Sequence, residues 1–142
     1  AHACARTGDK VLSVHSVRAV YQVLDVLEHA SVFGGMTGNA CIIHWFSGTS
    51  DQLTRARRTD CYFSVNPRML QSKRGRAYAQ AIPVDRLLLE TDEPASAGAP
   101  WSAARVRKLL EETLTQLAAL RGDDPVELRE RIAQTSRTLL QR

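Results

Sequence analysis

The 142 residues are 44% hydrophobic and 24% charged, the balance of a folded α/β domain and not of a disordered tail. No apolar run approaches the ~20 residues that span a bilayer, and three cysteines without a CxxC pair exclude a disulfide framework or a cysteine-based zinc site. The net charge of +4 permits a polyanionic partner without demonstrating one, and the thiol usage suits a reducing cytoplasm.

In chain order, the first ten residues (AHACARTGDK) lack the apolar core of a secretory leader and read as the tail of a helix ending at Gly8. Four runs then read as strands, at 10–15, 40–46, 61–65 and 86–90. Their segments VLSV, CIIHWF, CYFSV and LLLE are almost continuously apolar, as parallel strands buried on both faces are. Cys41 and Cys61 lie in these runs and read as small core residues. Helical patterns separate the strands. Val17, Val20, Val23, Leu24 and Leu27 make one stripe and predict a helix over 16–30. Weaker patterns cover 50–58 and 69–80.

Beyond the fourth strand, Ser102 can cap a helix whose face carries Val106, Leu109, Leu110, Thr113, Leu114 and Leu117. Asp124 followed by Pro125, with Glu127 three residues after the cap, starts a last helix with Leu128, Ile132, Thr135 and Leu139 on its inner face. This alternation predicts right-handed βαβ units around a parallel sheet. The stretch at 93–101 (EPASAGAPW) reads as a loop over a site. No glycine-rich phosphate fingerprint follows any strand, which lowers dinucleotide and P-loop readings.

Parallel α/β folds place their chemistry at the carboxyl ends of strands. There the sequence sets His15, His44, Ser64 with Asn66, and Glu90 with Asp92. Two imidazoles and two carboxylates on one rim suit zinc, manganese or magnesium, which activate water and polarise phosphoryl or carbonyl oxygens. Asp92 could also orient or deprotonate the attacking water. Spaced by two on an extended strand, Glu90 and Asp92 are expected to point to the same side, one on the metal and one supporting it. A lone strand-end histidine is more often structural, so the argument rests on the set. His2 and His29 have no such placement. Residues 55–76 carry seven basic side chains (Arg55, Arg57, Arg58, Arg68, Lys73, Arg74 and Arg76) against one acid, Asp60. That composition fits a phosphate-binding surface and equally a set of solvated helix faces. Arg68, directly after the third strand, could reach the rim. Trp45 and Phe46 could stack on a base, although inside a strand such residues are more often core.

The segments VLSVHSVRAVYQVLDVL, CIIHWFSGTSDQL, CYFSVNPRML and IPVDRLLLETDEP, in this order and spacing, resemble the C-terminal half of TatD-family metal-dependent deoxyribonucleases. The resemblance implies an α/β fold: the C-terminal half of an amidohydrolase-like TIM (β/α)8 barrel, with four parallel strands alternating with helices. It also implies phosphodiester hydrolysis, commonly as a 3′–5′ exonuclease on DNA, at a centre of two divalent ions (Mg²⁺, Mn²⁺ or Zn²⁺). On this chain it makes His15, His44 and Asp92 metal ligands, Asp92 and Glu90 the catalytic carboxylates, and Arg68, Asn66 and Ser47 the substrate-binding residues. HSVRAV and HWFSG are also similar to the TatD-like member of Qat anti-phage systems. Two departures stand out. The family's HxH pair and bridging Glu have no counterpart, and Thr135 occupies a place where many relatives carry Asn. Since a closed barrel takes ~250 residues, residues 1–142 are expected to be a single partial domain of a longer nuclease, with an incomplete metal site and little activity alone. A metal-dependent hydrolase of another substrate and a non-catalytic half-barrel that binds nucleic acid or a partner are the alternatives.

Overall fold

Four short strands, β1 (Val11–His15), β2 (Ala40–His44), β3 (Cys61–Val65) and β4 (Leu87–Leu89), pair in parallel in the order β1-β2-β3-β4. The computed structural model describes residues 1–33, 37–59, 61–93, 100 and 102–141. Before the sheet comes α1 (His2–Thr7), ended by Gly8 at φ 66° as its sequence suggests. Between the strands lie α2 (Val20–His29), α3 (Ser50–Arg57), α4 (Pro67–Gln71) and α5 (Lys73–Ala81), and a 3-10 turn at Val84–Arg86 leads into β4. The chain closes with α6 (Ala103–Arg121) and α7 (Pro125–Leu140). Four parallel strands alternating with helices are thus what the sequence predicts. No helix of the described residues is long and apolar enough to cross a membrane.

The strand register explains the two faces of the sheet. His15 pairs with His44, His44 with Ser64, and Ser64 with Leu88, so these four lie across one rung. Alternation along each strand sends the neighbouring residues the other way. Cys41, Ile43, Cys61, Phe63, Val65 and Leu87 join the main core with Leu24 of α2, Leu53 of α3, Met69 of α4 and Leu114 and Leu117 of α6. Cys41 and Cys61 are both fully buried. Hydrogen bonding to Cys61, reinforced by burial, pushes the Cys41 thiol far above the usual range, so it packs and does not react. On the opposite face Ala40, Tyr62 and Leu88 form a smaller cluster with Leu139 from the end of α7 and with Ile42.

Local chemistry sets the helix ends. Thr49 and Gln52 form a reciprocal capping box at α3. Ser102 caps α6, and Asp124 accepts from Val126 and Glu127 N–H at the start of α7. Two helix boundaries differ from the sequence reading. The helix expected over 16–30 begins only at Val20, because Ser16 starts a turn and Arg18 adopts a left-handed φ of 54°; Val17, placed on its apolar stripe, is instead 65% exposed. The helix expected over 69–80 is two helices broken at extended Ser72, whose hydroxyl caps α5 at Gly75 N–H. A Cβ on Gly75 would lie 1.9 Å from the Met69 carbonyl oxygen, so only glycine allows this sharp corner.

Candidate active-site rim

β2 ends at His44 and not at Phe46, because Trp45 takes a left-handed φ of 40°. Arg18 and Asp92 (φ 58°) have the same conformation beyond β1 and β4. Left-handed backbone is uncommon for residues other than Gly and Asn, and it concentrates where a site over-determines the chain. Three of the five such residues among those described therefore mark the carboxyl-end rim of the sheet.

On the first rung the His15 and His44 rings lie 5.2 Å apart between centroids, tilted by 32°. His44 is held from both sides. Its Nδ1 contacts Glu90 Oε2 and lies 2.8 Å from Ser64 Oγ, while Nε2 contacts Ser13 Oγ. Glu90 also accepts from Ser64 Oγ at 2.7 Å and from Asn66 Nδ2 at 3.0 Å. The carboxylate thus gathers an imidazole, a hydroxyl and an amide, with its side chain only 16% exposed. Such a carboxylate favours a proton on the Nδ1 that faces it, which leaves the Nε2 lone pair as the acceptor and the atom able to ligate. Ser16, the residue after His15, has a buried hydroxyl without a hydrogen-bond partner among the described residues.

Asp92 lies apart from this network. β4 ends at Leu89, and the left-handed turn at Asp92 breaks the alternation that would align it with Glu90. Its carboxylate instead accepts from Arg68 Nη1 at 3.0 Å. The two carboxylates, expected to act side by side, thus hold different partners. Asn66, expected at the substrate, is fully buried. Its Oδ1 accepts from Met69 N–H at 2.8 Å to cap α4, and its amide holds Glu90. Its task is to position. Sequence reading missed Ser13 and treated Ser64 only as a rim residue; alternation on β1 and β3 was the available signal for both.

The metal expected here meets a donor set that suits it in kind and falls short in number. His15 and His44 are adjacent imidazoles on neighbouring strands, and the Glu90 contact prepares His44 as a ligand. Among the described residues, however, no three His, Cys, Asp or Glu side chains converge closely enough to hold an ion.

Beside the rung, on the helix side of the rim, a cavity of about 380 Å³ opens between the β2–α3 loop and α4–α5. Trp45, Ser47, Arg68 and Arg74 line it, with Tyr78 and Met69 at its base. Phe46, in contrast, is core: it packs edge-on against Phe63 at 5.9 Å and Tyr78 at 5.4 Å. Tyr78 Oη donates to Gly48 carbonyl oxygen at 2.9 Å, tying α5 to the loop. The basic stretch is not one surface. Arg55 bridges Asp25 and Glu28 of α2 at 2.6 Å each, and Arg76 donates to the Leu70 and Gln71 carbonyls that end α4. Arg68 and Arg74 are the members that reach the cavity. Of the proposed loop over the site, 94–99 and 101 lie outside the described residues; Glu93 at its start pairs with Arg105 of α6 at 3.0 Å.

Comparison with known proteins places this arrangement. The family model for TatD related DNase matches residues 1–141. A 3′-5′ ssDNA/RNA exonuclease TatD from Pantoea vagans is 34% identical over 106 residues, covering 69% of this chain and 41% of that protein. The deoxyribonuclease Tat-D of Schizosaccharomyces pombe is 33% identical over 64 residues, 45% of this chain and 19% of that one. A crystal structure of a TatD-family hydrolase from Entamoeba histolytica superposes with a TM-score of 0.72 at 16% identity, over 91% of this chain and 50% of that one. The chain spans about two fifths of the length of bacterial relatives such as the Pantoea vagans protein (41%). With its four-motif rim, its parallel sheet and a family match from end to end, the chain belongs to the TatD-related DNase family.

Proposed function

We propose that this chain carries part of a divalent-metal-dependent hydrolase that cleaves phosphodiester bonds in DNA, acting as a 3′–5′ exonuclease. The observation that carries the reading is the His15–His44 pair at the strand ends, with His44 fixed through Nδ1 by Glu90. The relatives' activity and the family match support it. In this proposal His15, His44 and Asp92 are ligands for Mg²⁺, Mn²⁺ or Zn²⁺, with the remaining ligands of a two-ion centre supplied from outside these 142 residues. A divalent ion bound there would supply Lewis acidity and charge neutralisation to a phosphodiester.

Glu90 holds the His44 ring and its tautomer, while Ser64 and Asn66 hold Glu90. Asp92 is poised beside Arg68, whose guanidinium can exchange that carboxylate for a phosphate oxygen and free Asp92 to ligate or to orient water. Ser47 offers a hydroxyl at the same rim. Action in a reducing cytoplasm, which the free thiols suit, and a role in defence against phage, implied by the narrower resemblance, belong to the same proposal.

The test is degradation of 3′-labelled single-stranded DNA by the gene product that carries this chain, with each of the three ions. His44→Ala and Asp92→Asn are each expected to lower the rate by more than about 100-fold, since even groups that merely support a ligand cost 10–100-fold when removed. Wild-type rates in both variants would refute the ligand assignment. Residues 1–142 alone are expected to show little or no hydrolysis; full activity in them would refute the partial-site reading.

A further inference from the structure

The rim cavity beside Trp45 takes no part in holding His44 or Glu90, yet its lining combines a partly exposed indole, backed by Phe46 and Tyr78, with two cations. We propose that it is a nucleobase subsite. Trp45 stacks an unpaired base of a single strand, while Arg68 and Arg74 hold the phosphates on either side. The proposal rests on the reading of the neighbouring rim as a nucleic-acid hydrolase site.

Three observations carry it. First, Trp45 and Phe46 are consecutive aromatics that both border the cavity: Phe46 is fixed at 1% exposure in an edge-to-face cluster, whereas Trp45 packs on the core with part of its indole left open to the cavity. A left-handed φ of 40° at Trp45 is a conformation tryptophan rarely takes, and it ends the strand directly after His44. Second, the cavity is built and not incidental. Tyr78 is pinned to the Gly48 carbonyl, Gly75 is the only residue that fits against Met69, and any Cβ on Gly48 would meet Gln52 at 2.4 Å and Phe46 at 2.8 Å. At about 380 Å³ it has the size of a small-ligand cleft. Third, the wall is largely apolar while Arg68 and the exposed Arg74 stand on it. An apolar slot with cations is what a base linked to phosphates requires, and stacking on an aromatic plane tolerates any base.

Binding of fluorescein-labelled octathymidylate and of a matched octamer of abasic deoxyribose phosphates, with EDTA present so that no strand is cut, tests the idea. Wild-type protein should prefer the base-bearing octamer. Trp45→Asn, which suits left-handed backbone, should weaken octathymidylate about 5- to 100-fold and leave the abasic octamer unchanged. Trp45→Phe should restore most of the affinity. Arg74→Gln should weaken both octamers alike and lower the salt slope by about 1. A direct readout avoids reliance on these variants' folding. Trp45 and Trp101 are the two tryptophans of these 142 residues, so in a protein whose tryptophans other than Trp45 are all replaced by phenylalanine the emission of Trp45 should fall with octathymidylate and not with the abasic octamer. Unchanged emission, or equal octathymidylate binding by Trp45→Asn and wild type, overturns the subsite alone. Binding of neither octamer by wild type overturns the nucleic-acid reading and the subsite with it.

Discussion

The two faces of one sheet obey different rules. Toward the helices, Cys41, Ile43, Phe63, Val65 and Leu87 are entirely buried and interchangeable in kind, because any well-packed hydrophobe of the right volume would serve. On the other face the same strands present Ser13, His15, His44 and Ser64 beside Ile42 and Leu88, and Glu90 follows directly on β4. An apolar cavity of about 260 Å³ there is lined by Val11, Ile42, Leu88 and Leu139, with His44 and Glu90 among its other walls. Val11 stays 40% exposed on this side. The contrast teaches that the main core lies on one face and the His44–Glu90 network on the other, with period-2 alternation separating the two within strands of three to five residues.

Breaking the comparison from the stable side should have the largest effect. Phe63→Ala removes a fully buried ring that also packs on Phe46, and is expected to destabilise by about 3–5 kcal/mol in denaturant unfolding. Activity per folded molecule should be little changed. On the chemical face the signs reverse. Glu90→Gln keeps volume and most hydrogen bonds but loses the charge that fixes His44, so metal affinity or turnover should fall about 10- to 100-fold with a small change in unfolding midpoint. A large stability loss without a change in metal affinity, measured by titration calorimetry, would make Glu90 merely structural. The smallest effect sharpens the boundary between the two regions. Gly75→Ala drives a methyl into the Met69 carbonyl and should cost about 1–3 kcal/mol. By shifting α4 it should also disturb the Trp45 cavity more than the His44 network. Equal losses at both sites would show that the rim moves as one unit.

Much of this was legible in the chain itself. Apolar runs with helical stripes between them specify strands buried against helices, so VLSVH, CIIH and CYFSV announced a parallel sheet. Local capping chemistry at Gly8, Ser102 and Asp124 fixed helix ends, since those hydrogen bonds span only a few residues. Strand-end position alone also set His15, His44 and Ser64 on one rim.

What only the tertiary structure decided depends on where the backbone leaves its regular path. Left-handed turns at Arg18, Trp45 and Asp92 send Val17 to solvent, Trp45 into a cavity and Asp92 to Arg68, and nothing periodic encodes them. The long-range partners are likewise invisible locally. Arg55 is neutralised by carboxylates of a helix 27 and 30 residues away, and the Asn66 amide donates to a carboxylate 24 residues away. Charge density along the chain therefore overstated the basic surface, because a side chain's partner is set by which elements the fold brings together.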